Sequence, residues 1–279
     1  MRPALPVLIV LLVAGCAAPA VEPDTTRGLD LAGRVGTLLL GLDDDSVQLL
    51  TPQQGLAWMS PSGALVTWTG VDFAIALDRA TGERDVVPLI VWSRIDDDGT
   101  GLELRAGEAR TRDLLTGAEV RNTTLPPPPG SARAWTYASA DLAVLGAEHA
   151  EPGAAACAHE IHVRAPELTR ATGCHLEVSR DGRVGWTEGD DVRILQDGAP
   201  TVWSSAQGPA PDEPVRHENP LFTGEGTIAL RIRGSADATV SEVVDEDGQV
   251  LAMLEGPRQI ALLDVSEDAR WLLVRIFTR

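Results

Sequence analysis

Two cysteines and three histidines near the middle of the chain form its densest set of possible metal ligands: Cys157, His159, His162, Cys174 and His175. Thiolate and imidazole groups at such short spacing could hold zinc. A disulfide between the two cysteines is the simpler alternative if the chain leaves the cytoplasm, for which evidence is given below. We therefore predict a Cys157–Cys174 disulfide and no metal site.

A second set of reactive side chains places histidine beside carboxylates. Its members lie in segments without regular apolar spacing, and we interpret them as candidate binding loops: Glu148, His149, Arg216, His217 and Glu218. Histidine next to a carboxylate can act as a general base or bind a metal. The alternative is that these are solvated surface residues.

Acidic clusters at 43–45, 96–98, 190–191 and 245–247 could attract calcium, which prefers oxygen ligands. None matches a complete calcium-binding loop, because Arg94 occupies the first ligand position before the cluster at 96–98. We expect these clusters to be hairpin tips. Serine-hydrolase elbows, phosphate-binding loops, dinucleotide fingerprints and zinc-protease motifs are all missing. We therefore predict no catalytic residue and no cofactor.

Composition excludes some partners and reactions. The formal net charge is −18, which repels nucleic acid and anionic lipid headgroups. All 23 basic residues are arginine, so no lysine is present for Schiff-base chemistry or a serine–lysine pair. Seven tryptophans recur near the predicted strands, and we expect them to pack between structural repeats rather than stack on carbohydrate.

The elements that position these residues are predicted to be short strands. Apolar residues come in groups of four to six between Gly, Asp and Ser turns, and helical spacing is never sustained, which indicates an all-β protein. A turn of the Ser-x-Asp-Gly type recurs with period near 40, a size typical of one four-stranded propeller blade. Its anchors are Ser60, Ser93, Ser139, Ser179, Thr223 and Ser266.

A second recurring turn supports this interpretation. The turns expected to join the third and fourth strands of a repeat are Leu77 to Gly82, Asp113 to Gly117 and Val244 to Gly248. The predicted strands before Ser60 have no repeat of their own, and only one strand fits after Ser266. Pairing the N-terminal strands with the C-terminal ones would complete a sixth blade and leave no exposed edge.

These repeats resemble the six-bladed β-propellers of the TolB-like and WD40-like kind, over residues 29–279. The resemblance is degenerate, since only Ser179 to Gly182 carries the complete motif and no Trp-Asp dipeptide is present. It implies a fold and a general binding role, with no active-site residue carried over. The alternative architecture is a pair of β-sandwiches divided at Pro126 to Pro129.

Propeller topology places the three longest segments, 122–132, 146–153 and 204–220, on one face. Long irregular loops on a rigid scaffold are where binding usually resides. We therefore expect a protein or small ligand on this long-loop face, and no nucleic acid.

Residues Val13 to Cys16 close a short apolar run and resemble a lipobox, the processing site of bacterial lipoproteins. The run from Ala4 to Ala14 is too short to span a bilayer. This predicts a signal peptide at 1–15, lipidation of Cys16, and a flexible tether at 16–28. Ala17 resembles the residue that directs such proteins to the outer membrane in diderm cells. An ordinary secretory signal and a buried N-terminal helix are the alternatives.

The sequence thus predicts a lipid-anchored, extracytoplasmic binding or assembly module of the cell envelope. The alternative is a metal-dependent hydrolase or lactonase with its site at the mouth of the propeller channel, where catalytic groups assemble in space without a linear motif.

Overall fold

The computed structural model describes residues 28–130, 132–150, 157–165, 167–196, 199–203, 215–235, 238–255 and 259–277. The predicted signal peptide, Cys16, nearly all of the tether and the loop at 204–214 lie outside the described residues. Within these ranges the chain forms 24 strands, as the sequence predicted for an all-β protein. Nothing in the described ranges forms a helix with the length and apolarity needed to cross a membrane.

The strands follow one another along the chain with short connections. Their bounds are β1 Gly28–Asp30, β2 Gly36–Gly41, β3 Val47–Thr51, β4 Ala57–Met59, β5 Leu65–Thr69, β6 Ala74–Asp78, β7 Arg84–Val87, β8 Arg94–Ile95, β9 Thr100–Arg105, β10 Glu108–Asp113, β11 Glu119–Thr124 and β12 Tyr137–Ala138. The second half comprises β13 Leu145–His149, β14 His159–Ala165, β15 Glu167–Val178, β16 Val184–Glu188, β17 Asp191–Gln196, β18 Ala199–Trp203, β19 Val215–Phe222, β20 Thr227–Ser235, β21 Ala238–Asp245, β22 Val250–Glu255, β23 Ile260–Val265 and β24 Trp271–Ile276.

Hydrogen bonding groups these strands into five sheets arranged as a propeller, and every pairing is antiparallel except that of β1 with β22. Three are β4–β7, β8–β11 and β12–β18, in chain order across each sheet; the other two are β1-β22-β21-β20-β19 and β23-β24-β2-β3. The expected count of six separate blades is wrong, because two predicted repeats share one seven-stranded sheet. Strand β15 causes the fusion, since Glu167 to Gly173 pair with β14 and Cys174 to Val178 pair with β16.

One sheet joins the two ends of the described chain. Strand β2 pairs with β24 over six residues, from Gly36 opposite Ile276 to Gly41 opposite Trp271. This is the ring closure that the sequence predicted. Strand β1 adds a parallel pairing outside β22, with Gly28 opposite Met253. It begins one residue before the predicted domain boundary and covers an outer edge that would otherwise offer free backbone groups.

The repeated turn has a clear structural cause in the hydroxyl of its anchor residue. Ser139 Oγ accepts a hydrogen bond from the Val144 amide at 2.9 Å, and Ser266 Oγ accepts one from the Trp271 amide at 3.0 Å. Both serines are buried, so the hydroxyl satisfies an amide that water cannot reach. In the order of the strands, this turn joins the innermost strand of a repeat to its second strand.

The anchor predicted for the second repeat is wrong. Ser93 lies before the short inner strand β8 rather than after it. Asp96 takes the equivalent place, since its amide donates to the Thr100 carbonyl at 2.8 Å and its carbonyl accepts from Gly99 at 3.2 Å. The acidic cluster at 96–98 is accordingly a turn between strands, as predicted.

The turns between third and fourth strands also occur where the sequence placed them. The amides of Gly82, Gly117 and Gly248 donate to the carbonyls of Asp78, Asp113 and Asp245 at 2.8, 2.9 and 3.0 Å. Each glycine has a positive φ, between 71° and 79°, which glycine adopts at little cost. Because strands alternate in direction, these turns share a face with the anchor turns.

Apolar side chains from neighbouring sheets pack between them and hold the ring together. The largest cluster joins β2, β20, β23 and β24, with Leu38, Leu230 and Val274 fully buried. Trp68, Trp92, Trp135 and Trp186 are each at most 3% exposed, which confirms their predicted packing role. The pair of sandwiches divided at Pro126 to Pro129 is wrong, because every sheet faces one common central cavity.

Candidate functional site

The central cavity of the propeller has a volume of about 600 Å³. Its wall comes from the innermost strands β4, β8, β12, β15, β19 and β23, so that all five sheets contribute to it. A volume of this size accommodates a small ligand or an inserted side chain. The cavity is therefore the candidate binding site.

One position of the repeat supplies most of the charged and aromatic side chains of the cavity wall. The residue two places before each turn anchor lines the cavity, because alternate side chains of a strand point to the same side. This set, which we call the inner ring, consists of Trp58, Arg94, Tyr137, Glu177, Leu221 and Asp264. The inner ring thus carries two carboxylates, one guanidinium and two aromatic side chains.

Irregular pairing in three neighbouring inner strands shapes one side of the wall. The register shifts between Cys174 and Glu177 in β15, between Glu218 and Leu221 in β19, and between Leu262 and Asp264 in β23. Strand β19 packs between the other two. Such bulges bend a strand and redirect its side chains, and they are frequent beside functional sites.

The backbone of this side is also held in an unusual conformation. His175 and Asn219, each four residues before a turn anchor, have φ values of 56° and 51°. Residues other than glycine rarely adopt this left-handed region, although asparagine tolerates it. Two neighbouring strands therefore share the same distortion at the same level of the cavity wall.

The carboxylates of the inner ring are poorly neutralised. Glu177 has no hydrogen-bond or ion-pair partner for its carboxylate among the described residues, and burial together with the negative charge of Asp264 raises its pKa well above the ordinary value. Burial also raises the pKa of Asp264, to about 6, although its oxygens accept hydrogen bonds from the amides of Met59 at 2.7 Å and Val265 at 2.8 Å.

Two arginines in the cavity wall are committed to structural contacts. The Arg94 guanidinium donates to the carbonyls of Ala138 at 3.0 Å and Ser139 at 2.9 Å, which ties β8 to the next inner strand. Arg180 pairs with Asp96 and donates to the Ile95 carbonyl. Arg94 therefore bridges neighbouring repeats, Arg180 bridges two repeats that are not adjacent in the ring, and neither guanidinium forms an ion pair with Glu177 or Asp264.

Polar groups also collect around His175. The Glu148 carboxylate contacts His159 and accepts a hydrogen bond from the Leu176 amide at 2.9 Å. His175 Nδ1 lies 3.3 Å from the hydroxyl oxygen of Thr187, and burial lowers the pKa of His175 although Glu218 and Glu148 act in the opposite direction. Burial and nearby negative charge raise the pKa of Tyr137.

The predicted disulfide is present between Cys157 and Cys174, with their Cα atoms 4.6 Å apart. It anchors the start of β14 to β15, next to His175. Of the other histidines in the original cluster, His159 contacts Glu148, and the buried His162 lies 3.1 Å from a carboxylate oxygen of Glu160. The five residues thus do not converge on one point.

The assignment of five residues to binding loops is wrong in its structural part. Glu148 and His149 lie in β13, and Arg216, His217 and Glu218 lie in β19. His217 is 3% exposed, and burial together with the charge of Arg231 lowers its pKa to about 4. Glu148 and Glu218 do act electrostatically on the cavity-lining His175. Whether any of the five binds a ligand stays a prediction.

The sequence-based prediction did not include the inner-ring carboxylates, because they lie inside apolar strands and the predicted binding residues were all assigned to loops. The signal was nevertheless present in the repeat. Glu177 and Asp264 stand at the same offset from their anchors, Ser179 and Ser266. A charged residue at this position of an otherwise apolar inner strand therefore indicates a side chain that lines the central cavity.

A pair of carboxyl groups with raised pKa values can move a proton or bind a cation. Among the described residues, no group of three or more His, Cys, Asp or Glu side chains is placed to hold a metal ion. The two carboxyl groups can also accept hydrogen bonds from a bound cation that carries N–H donors.

No protein-family model and no curated protein sequence matches this chain. Solved structures do resemble it. A protein assigned as TolB from Agrobacterium tumefaciens aligns with 88% of this chain and 99% of its own length, at 15% identity and a TM-score of 0.55. An oligogalacturonate lyase from Vibrio parahaemolyticus aligns over 84% of this chain and 78% of its own, at 12% identity and a TM-score of 0.46.

A calcium-binding protein, regucalcin, from Agrobacterium tumefaciens aligns over 77% of this chain and 79% of its own, at 16% identity and a TM-score of 0.40. At such low identities these similarities concern the fold alone. The first of them confirms, at that level, the resemblance seen in the sequence: the chain folds as a TolB-like β-propeller.

Proposed function

We propose that this protein is a lipid-anchored binding module of the cell envelope whose ligand occupies the central cavity. The observation that carries the binding role is the 600 Å³ cavity, whose wall presents unneutralised carboxylates on distorted inner strands. Keeping such groups away from bulk water costs free energy, and proteins retain that cost mainly where a site needs it.

We further propose that the seven-stranded sheet acts as two blades, so that the ring has six equivalent modules. Strands β12 and β15 both contribute to the cavity wall, and each is followed by a turn anchored on a serine, Ser139 or Ser179. The fusion at β15 then joins two modules without removing either inner strand.

The lipid anchor rests on the sequence of residues 13–16 and on Ala17, which favours the outer membrane in a diderm cell. Fatty-acid labelling of growing cells tests it directly. The wild-type protein should incorporate the label and sediment with membranes, while Cys16→Ser should do neither. Equal labelling of both proteins would contradict the anchor.

Crosslinking on intact cells followed by mass spectrometry tests the binding role. We expect a partner that is captured by the wild-type protein and lost with Glu177→Gln, which removes one cavity charge. The matched control is Glu246→Gln, which makes the same change on an exposed hairpin tip away from the cavity. Equal capture by both variants would contradict a role for the cavity. The enzyme alternative is favoured by no specific contact in the described residues.

A further inference from the structure

Three oxygen acceptors gather on the distorted side of the cavity wall. Glu177, Asn219 and Asp264 belong to β15, β19 and β23, which are adjacent, and all three line the cavity. The two carboxylates occupy inner-ring positions on either side of Leu221. The arrangement is therefore one acceptor-rich patch rather than three scattered polar groups.

Asn219 gives independent evidence that this patch awaits a hydrogen-bond donor. Its side chain is 7% exposed, and its buried Oδ1 accepts no hydrogen bond from the part of the chain that the structure describes. A buried acceptor without a donor destabilises the folded state. The left-handed φ of 51° adds to the cost of holding Asn219 at this point of the wall.

Four arginines line the cavity, and within the described ranges none of them forms an ion pair with Glu177 or Asp264. Asp264 is held by two main-chain amides, and the nearest guanidinium, that of Arg180, is engaged by Asp96 and the Ile95 carbonyl. Arg94, the only cationic member of the inner ring, donates to main-chain carbonyls near the turn at Ser139. A bound cation would supply the ion pair that the two carboxylates lack. The raised pKa values of Glu177 and Asp264 agree with this lack of an ion-pair partner.

We propose that Glu177, Asp264 and Asn219 bind the primary ammonium group of an organic ligand. An ammonium carries three N–H donors and no acceptor, which matches three oxygen acceptors. Trp58 and Tyr137 belong to the same inner ring and provide aromatic surface, and aromatic faces attract cations. This inference rests on the proposed binding function and specifies the chemistry of its ligand.

Calorimetric titration of the full-length protein in a mild detergent tests the proposal with cadaverine, a diamine whose two ends are primary ammonium groups. We expect one cadaverine per chain in the wild-type protein, and binding weakened about 10- to 100-fold in Glu177→Gln, the range that loss of one charged hydrogen bond gives. Asn219→Leu, which removes the neutral acceptor, should weaken binding by about tenfold. Glu246→Gln is the matched control and should bind as the wild type does.

Two further probes separate the proposed chemistry from simple charge attraction. Pentamethonium, in which both ammonium groups of cadaverine are fully methylated, has the same two charges without N–H donors and should bind much more weakly than cadaverine. Calcium should not displace cadaverine. Tight binding of pentamethonium, displacement by calcium at one ion per site, or no effect of Glu177→Gln on cadaverine would each overturn the proposal.

The outcome is separable from that of the proposed function. If crosslinking in cells depends on Glu177 but cadaverine does not bind, the ammonium chemistry fails and the cavity-binding role stands. If cadaverine binds as expected but no cavity-dependent partner is captured, the ammonium site stands and the envelope-binding role fails. Each variant's thermal unfolding, measured beside its titration, shows that loss of binding does not come from loss of the fold.

Discussion

Replacing Asp264 by asparagine should remove a specific pH-dependent cost from the folded state. In the folded protein the pKa of Asp264 is raised from 3.8 to about 6, chiefly by burial in the cavity wall. A folded pKa above the unfolded one means that the folded state binds the proton more tightly. The stabilisation from this proton is fully present below the unfolded pKa and is lost as pH rises through about 6.

The shift of about two units corresponds to about 3 kcal/mol at most, since one pKa unit is about 1.4 kcal/mol. Asparagine cannot ionise, so the free energy of unfolding of Asp264→Asn minus that of the wild type should rise by about 3 kcal/mol between about pH 4 and about pH 7. Loss of one hydrogen bond from Met59 or Val265 lowers the variant's stability equally at both pH values. It therefore drops out of the comparison.

Urea unfolding followed by tryptophan fluorescence, at several pH values, measures this difference. Asp72→Asn makes the same substitution on an exposed loop and is the matched control. Removing the negative charge of Asp264 also relieves repulsion on Glu177, which acts in the same direction. A stability difference that stays constant from acid to neutral pH would refute the argument that the cavity wall holds a costly charge at Asp264.

Three further predictions concern the scaffold. For His217 the folded pKa is lowered to about 4, so the stability that it contributes is present above its unfolded pKa of 6.5 and is lost as pH falls through about 4. In urea titrations, His217→Gln should lose about 3 kcal/mol less stability on acidification than the wild type does. Equal losses of stability in the two proteins would contradict this. Replacing Cys157 and Cys174 together by serine should lower the free energy of unfolding by about 3 kcal/mol, because the disulfide closes a short loop, and a loss below about 1 kcal/mol in denaturant unfolding would be against it. Ser266→Ala leaves the Trp271 amide without its hydroxyl partner and should cost about 1–3 kcal/mol in thermal unfolding, with an unchanged melting temperature as the contrary result.

Local turn chemistry explains why much of the fold was predictable. The serine hydroxyl at an anchor such as Ser139 and the glycine at a tip such as Gly82 are needed by the turn itself, so they recur wherever the turn recurs. Their spacing was enough to predict the repeat and the closure of β2 on β24. The fusion through β15 was not predictable in this way, because nothing local marks where one long strand changes partners.

The cavity patch depends on interactions of long range. Glu177 and Asp264 are 87 positions apart in the chain, and their strands lie on opposite sides of β19 because consecutive repeats pack against one another. The sequence-based prediction of binding residues relied on histidines beside carboxylates, but His217 is buried within a strand. Aligning the repeats on their true anchors, with Asp96 in place of Ser93, would have exposed the inner ring from the sequence.

The central claim is that the cavity is where a partner or ligand is held, and position-specific photo-crosslinking in living cells tests it most directly. A photoreactive residue at Leu56, an exposed side chain that lines the cavity, is compared with one at Val86, an exposed side chain on the outer strand β7. The account predicts a discrete adduct from position 56 that disappears with Glu177→Gln, and none from position 86. An adduct from position 86 alone, or adducts from position 56 that are indifferent to Glu177, would contradict it.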